Sequence, residues 1–252
     1  MRIPIVSLWL VALSAVVNAT GVVVFRQPDR ILLAADSAQQ QIVDGQEREG
    51  RVRCKVLPSG RWWFTIGGIH SFTDSDGYRF SAFEFVPRAI ASTTTMAGAL
   101  TAIDEQFETI SEGLQRVARR APTAFPMLHV VIVGVEGRTL VAGVYNVEPE
   151  QRMPLTLKRL MATCPGRWCS PDGRLFHSTG VDHAVSRLVK PPRPAWLERG
   201  DAAAARQLIQ RHIAATPTLV KPPIDTIEVR ANGRASWIGR DKNSACSAIP
   251  PS

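Results

Sequence analysis

Thr20-Gly21-Val22-Val23-Val24-Phe25 and Ile31-Leu32-Leu33-Ala34-Ala35-Asp36-Ser37 are the stretches whose reading decides the fold. Each is an apolar run of strand length, and Gln27-Pro28-Asp29-Arg30 between them is turn-forming, so the pair reads as two adjacent strands. The unbroken apolar run from Gly21 to Phe25 reads as a buried strand, and the run from Ile31 to Ala35 reads as a second strand ending at Asp36.

Upstream, Met1-Arg2 is a short positive region, Ile3 to Val17 is apolar, and Val17-Asn18-Ala19 puts small residues where a signal peptidase reads them. Residues 1–19 therefore read as a secretory signal peptide, with a mature chain of residues 20–252 beginning at Thr20. The apolar run falls short of the roughly 20 residues of a membrane span, and no later segment approaches it. The expectation is a secreted or periplasmic protein with no stable membrane association after signal removal. Loss of Arg2 lowers the side-chain charge from +8 to +7.

Export makes the cysteines legible. Cys54, Cys164, Cys169 and Cys246 are even in number in a chain bound for an oxidising compartment, so disulfides are expected. Cys164-Pro165-Gly166-Arg167-Trp168-Cys169 encloses a Pro-Gly turn suited to a local bridge, which leaves Cys54 for Cys246. Four cysteines allow three connectivities, and spacing alone does not choose among them. Neither a second close cysteine pair nor a His-x-x-x-His accompanies them, so neither metal nor cofactor is expected.

Downstream, Ala38 to Gly50 is mostly polar and reads as a loop. Arg51 to Leu57 and Arg61 to Ile66 read as a strand pair across Pro58-Ser59-Gly60, ending at Gly67-Gly68. A helix is expected over Ala82 to Ala91. Leu100, Ile103, Phe107, Ile110, Leu114 and Val117 recur every three or four residues, the stripe of one further helix. Strands follow at Leu128 to Val135, Thr139 to Val147, Leu155 to Leu160 and Leu175 to Ser178. Helices at Asp182 to Leu188 and Asp201 to Ala214 precede closing strands at Ile224 to Val229 and Ala235 to Ile238. The elements come in blocks, strands then helices, which points away from a parallel doubly wound sheet. They fit an α+β domain of two stacked antiparallel sheets with a helix pair on each outer face. Lys190-Pro-Pro-Arg-Pro194 is the stiffest break, but the 58 residues after it are too few for a good second domain.

With 45% apolar and 21% charged residues the chain reads as an ordinary globular protein, not a disordered one. Its pI near 9.9 favours anionic partners. The basic residues are scattered, however, and Arg116, Arg119 and Arg120 end a helix whose dipole they complement, so no nucleic-acid partner is expected. His129 falls among strand residues and reads as a core or edge histidine. Asp74-Ser-Asp-Gly77 reads as a turn, and Asp201 as the N-cap of its helix.

An N-terminal threonine carries a hydroxyl nucleophile and a base on one residue. Its α-amine, with an ordinary pKa of about 7.7–8.0, is near the optimum for general-base work at neutral pH. A lysine nearby lowers that pKa further, because a second cation disfavours protonation. Thr20-Gly-Val-Val-Val-Phe followed by Ile31-Leu-Leu-Ala-Ala-Asp-Ser37 resembles the opening of proteasome β subunits and their bacterial relatives, which are N-terminal-nucleophile (Ntn) hydrolases. There the mature threonine starts the first strand, and an Asp lies sixteen residues on, as Asp36 does from Thr20. The resemblance is specific over Thr20 to Gly68 and is carried beyond that by element order.

The resemblance implies a four-layer αββα Ntn sandwich with Thr20, Asp36, Lys55 and Gly67 as catalytic groups. Thr20 attacks, its amine takes the proton, Lys55 tunes the amine, Asp36 orients Lys55, and a backbone N–H at Gly67 (or Gly68) stabilises the oxyanion. Lys55 comes three residues later than is usual in the family. A peptide or small amide is the implied substrate, and a homo-oligomer the implied assembly. Two departures stand out. Val181 occupies the place of the family's serine in a Gly-Ser-Gly turn. After the last helix, Thr216-Pro-Thr-Leu-Val-Lys-Pro-Pro223 replaces an Asp and Ser, with no acid before Asp225. Thr179 or Thr218 is available to substitute in space. The rival readings are a catalytically silent secreted subunit of the same fold and a basic module that binds anionic polymers.

Overall fold

The structure is a computed structural model that describes residues 21–37, 40–43, 46–49, 54–73, 76–120, 127–152, 154–179, 183–217, 220–240 and 244–246. The deciding hairpin forms as expected: β1 (Val22–Arg26) pairs antiparallel with β2 (Arg30–Asp36), Val22 opposite Ala35 and Phe25 opposite Leu32. All of β1 is buried because its faces serve different cores. Val22 and Val24 pack toward one cluster, while Val23 and Phe25 pack toward another. A strand covered on both sides has no position for a polar residue, which explains the unbroken apolar run.

The remaining strands are β3 (Gln40–Val43), β4 (Gln46–Glu49), β5 (Leu57–Ser59), β6 (Trp62–Gly68), β7 (Ser71–Thr73), β8 (Arg79–Ser81), β9 (Leu128–Glu136), β10 (Thr139–Arg152), β11 (Leu155–Cys164), β12 (Leu175–Thr179), β13 (Ile224–Arg230) and β14 (Ala235–Arg240). They build two five-stranded antiparallel sheets, in the orders β12-β1-β2-β13-β14 and β11-β10-β9-β6-β5. A small third sheet has the order β4-β3-β7-β8. The helices are α1 (Ala82–Ile90), α2 (Met96–Asp104), α3 (Phe107–Arg120), α4 (His183–Val189), α5 (Ala195–Glu198) and α6 (Ala202–Ala215).

Three apolar clusters organise these elements. Trp62, Phe64, Ile66, Val130 and Ile132 of the second sheet meet Val86, Leu100, Ile103 and Leu114 of α1 to α3. The other faces of β6 and β9, with Trp63, Val131 and Val133, meet Val24, Leu33 and Ile227 of the first sheet. Val23, Leu32 and Ala34 on the first sheet's far side meet Val185, Leu197, Leu208 and Ile209 of α4 to α6. Burying one such side chain contributes about 1.5–3 kcal/mol, so each cluster holds its layer strongly.

The structure corrects the sequence reading in five places. Ala38 to Gly50 is not simply a loop, since β3 and β4 pair within it and β3 also lies parallel to β7. Pro58 and Ser59 belong to β5, and the turn falls at Gly60 and Arg61, with Gly60 at φ +57°. Lys55 does not open a strand; it precedes β5 outside any regular element, and residues 51–53 lie outside the described ones. The single apolar stripe is divided between α2 and α3. The Glu105 N–H bonds to both Thr101 and Ile103 carbonyls, and the Gln106 N–H to Ile103, a tightened turn. There the carboxylate of Asp104 accepts from the Tyr145 hydroxyl at 3.0 Å and pairs with Arg159 at 3.1 Å. Finally, three helices rather than a pair accompany each large sheet among the described residues, because α2 and α3 are separate and α5 is a short extra turn.

Other expectations match. Asp201 caps α6, its side chain accepting from the Ala204 N–H at 2.7 Å. Asp76 and Gly77 fall between β7 and β8, as a turn should. The disulfides are Cys54–Cys246 and Cys164–Cys169. No helix among the described residues is long and apolar enough to cross a membrane.

Candidate active site

Pairing of β2 with both β1 and β13 carries Asp36 to one end of the first sheet, opposite Ile224. Its side chain is fully buried, so its carboxylate needs partners. Oδ1 accepts from the backbone N–H of Gly21 at 3.0 Å and lies 3.3 Å from the Lys55 ammonium. Oδ2 accepts from the Lys221 N–H at 3.3 Å. The backbones are tied as well, the Asp36 N–H donating to the Gly21 carbonyl at 3.1 Å. The segments of Gly21, Lys55 and Lys221 thus converge on one carboxylate.

Lys55 is only 2% exposed. Burial pulls its pKa below the usual lysine value, and the charge and hydrogen bond of Asp36 oppose that shift. The ion pair keeps a cation in a site that would otherwise expel it. Cys54, immediately before Lys55, is bridged to Cys246, so the segment carrying the lysine is covalently fixed to the C-terminal segment.

Two features of this region were not foreseen. Ser37 donates to Oδ2 of Asp225 at 3.0 Å, and the bridged Cys246 sulfur lies 3.2 Å from the same oxygen. Asp225 is opposite Ala35, so this acid and hydroxyl sit beside Asp36. Its number in the sequence shows only an acid in a strand; its neighbours are set by sheet pairing. The second is an imidazole pair joining the two sheets. His129 on β9 and His177 on β12 have their Nε2 atoms 3.0 Å apart, with Trp168 edge-on to His177 at 4.7 Å. Burial lowers the His129 pKa to about 4. Burial and the neighbouring His129 lower that of His177 to about 3. Both rings are therefore neutral near pH 7, one donating to the other's lone pair. The sequence places His129 in a strand, at the core or at an edge; the structure buries it and supplies the partner, His177.

Of the four expected catalytic residues, the structure brings Asp36 and Lys55 into contact. Thr20 lies outside the described residues, as do Val181 and Thr218, but Gly21, next in sequence, is bonded to Asp36. Gly67 is buried in β6 of the second sheet, directly opposite His129. Gly68 follows at φ +77°, where a Cβ would lie 2.3 Å from the Met127 carbonyl oxygen, so only glycine fits this strand end. Thr179 ends β12 opposite Val22. Among the described residues no group of three or more His, Cys, Asp or Glu side chains could hold a metal ion.

The arrangement can hold a desolvated ammonium beside the start of β1 and fix it against drift. No protein-family profile and no curated protein matches the chain. Among solved structures it is similar to the Anbu (Gly-1) mutant from Hyphomicrobium sp. strain MC1, at 15% identity over 89% of each chain, with a TM-score of 0.41.

Proposed function

We propose that this protein is an exported N-terminal-threonine hydrolase whose residues 20–252 form one αββα Ntn domain and whose nucleophile is the Thr20 hydroxyl, freed with its α-amine when residues 1–19 are removed. The observation that carries the reading is the buried Lys55–Asp36 pair, held through Oδ1 to the backbone of Gly21, one residue from Thr20. The sequence resemblance over Thr20 to Gly68 supports the same roles, as does the stacking of the three apolar clusters.

In the proposed reaction the α-amine takes the Thr20 hydroxyl proton as Oγ bonds to the substrate carbonyl carbon. The Gly67 N–H stabilises the resulting oxyanion. Collapse breaks the C–N bond, the leaving amine takes the proton, and water then hydrolyses the ester. The Lys55 cation favours the unprotonated amine, and Asp36 keeps Lys55 charged and aimed. A peptide or small amide is the substrate class, and self-association is the expected assembly. We assign the role of the missing acid after α6 to Asp225, which accepts from Ser37 beside Asp36.

The test is intact-protein and peptide mass spectrometry of the exported protein after treatment with a threonine-directed β-lactone. A native N-terminus at Thr20 and an adduct on that residue, absent from Thr20→Ala, are expected. A native N-terminus elsewhere removes the mechanism. A correct N-terminus with neither adduct nor amide hydrolysis leaves the silent subunit as the answer.

A further inference from the structure

The opposite end of the two sheets carries a cleft of about 830 Å³. It lies where β6 begins, where the β9–β10 hairpin turns at Gly137 and Arg138, and where β13 turns into β14 at Gly233. That end is far from Asp36 and Lys55 because β2 and β13 run from Asp36 opposite Ile224 to Arg30 opposite Arg230. The volume falls in the range of small-molecule sites, roughly 300–1,000 Å³.

The lining has two kinds of surface. Trp63 is the aromatic wall, and Trp237 braces it edge-on at 5.9 Å between ring centres. At the hairpins Gly137 and Gly233 have φ of +63° and +81°, and nothing lies within 4 Å of where a Cβ would stand, so bare backbone lines the cleft. Arg61 and Arg138 supply charge, both exposed. Three other arginines at this end are committed: Arg26 donates to the Leu140 and Gly173 carbonyls, and Arg30 and Arg230 pair with Glu228. Arg61 is partly engaged, donating to the Thr94 carbonyl at 2.9 Å with its guanidinium over the Trp62 ring at 6.0 Å, whereas Arg138 has no hydrogen-bond or ion-pair partner among the described residues. Neither guanidinium faces a carboxylate there. Glu136, in the same hairpin as Arg138, accepts from the Met96 N–H instead.

We infer that this cleft binds a small anion with a flat apolar body, such as an aromatic carboxylate, sulfonate or phosphate, its ring against Trp63 and its charge between Arg61 and Arg138. A guanidinium without a carboxylate partner meets an anion at no cost of breaking an existing pair, and the aromatic wall rewards a flat ligand. A side-chain charge of +7 after loss of Arg2 draws anions toward it. The site is separate from the Lys55 region and does not depend on the proposed hydrolase activity.

The probe is anilinonaphthalenesulfonate, titrated into the folded exported protein and followed by calorimetry and by energy transfer from tryptophan. Binding of one equivalent that weakens with added salt is expected. Arg138→Ala, on an exposed hairpin turn where the fold has nothing to lose, should weaken it about tenfold, and Arg61→Ala with Arg138→Ala further still. Trp63→Phe should reduce the energy transfer. Neutral phenylnaphthylamine should bind at least tenfold more weakly and ignore both arginine changes. The inference is overturned if Arg138→Ala and the double variant bind the sulfonate within twofold of the parent. It is equally overturned if the neutral probe binds as tightly as the charged one.

Discussion

Replacing Lys55 by methionine tests the centre of the candidate site. Lys55 is 2% and Asp36 0% exposed, so neither charge has water to fall back on. Lys55→Met keeps the bulk and removes the cation, leaving the buried Asp36 carboxylate without its ammonium partner while the Gly21 and Lys221 N–H groups still donate to it. Breaking one side of a buried pair costs about 3–5 kcal/mol. With a urea slope of roughly 1–3 kcal/mol per molar, the unfolding midpoint should drop by about 1 M or more. Asp36→Asn together with Lys55→Met removes both charges and should be less destabilising than Lys55→Met alone, so the two changes are strongly non-additive. The assay is urea unfolding of the oxidised protein by circular dichroism for the parent, both single variants and the double. The pH dependence has a definite sign. The folded Lys55 pKa is lowered, so the unfolded chain binds more protons between that value and about 10.5. Stability from this group is full above about pH 10.5 and is lost as pH falls through the folded pKa. Asp36→Asn removes the opposing charge and should move the folded pKa lower still, widening the window. Additive single variants each costing less than about 1 kcal/mol would falsify the buried-pair account, because that is how a solvated surface pair behaves.

Three further outcomes follow from the same geometry. Replacing Cys54 and Cys246 by serine opens a loop of 192 residues, and chain entropy puts the loss near 5 kcal/mol. The Lys55 segment loses its tether, so β-lactone acylation of Thr20 should slow even below the melting temperature; acylation unchanged from the parent would show that the disulfide does not position the lysine. His129 and His177 have folded pKa values near 4 and 3 against about 6.5 unfolded, so their contribution is full above about pH 6.5 and is lost as pH falls through those values. Proton-detected titration of the imidazoles should show neither ring charging above pH 5, and a midpoint near 6.5 for either would refute the buried pair. Gly68→Ala forces a Cβ to 2.3 Å from the Met127 carbonyl at a positive φ, and should cost about 1–3 kcal/mol by thermal unfolding, whereas Gly77→Ala, with open space around it, should show only the milder cost of its φ of +81°.

The local chemistry of the chain determined much of this. Unbroken apolar runs at Val22 to Phe25 and Ile31 to Ala35 specify doubly covered strands wherever they are placed, because no polar side chain is present to face water. Asp201 before four alanines specifies a helix start, and the Pro-Gly turn suits Cys164 and Cys169 to the local bridge that the structure selects among three connectivities. The resemblance over Thr20 to Gly68 nominated Thr20, Asp36 and Lys55 as a site, and the structure brings Asp36 and Lys55 into buried contact. Polar content misled at Gln40 to Glu49, where β3 and β4 form because β7 offers a free edge, and strand pairing through the backbone is indifferent to side-chain polarity. What tertiary structure alone decided are the meetings between distant residues. Ser37 with Asp225 and His129 with His177 lie 188 and 48 residues apart, joined by sheet order and stacking. The arginines left without carboxylates beside Trp63 are of the same kind. Sequence period fixes which way a side chain points relative to its own strand; which partner it then meets depends on register and layer, and those are properties of the assembled sheets.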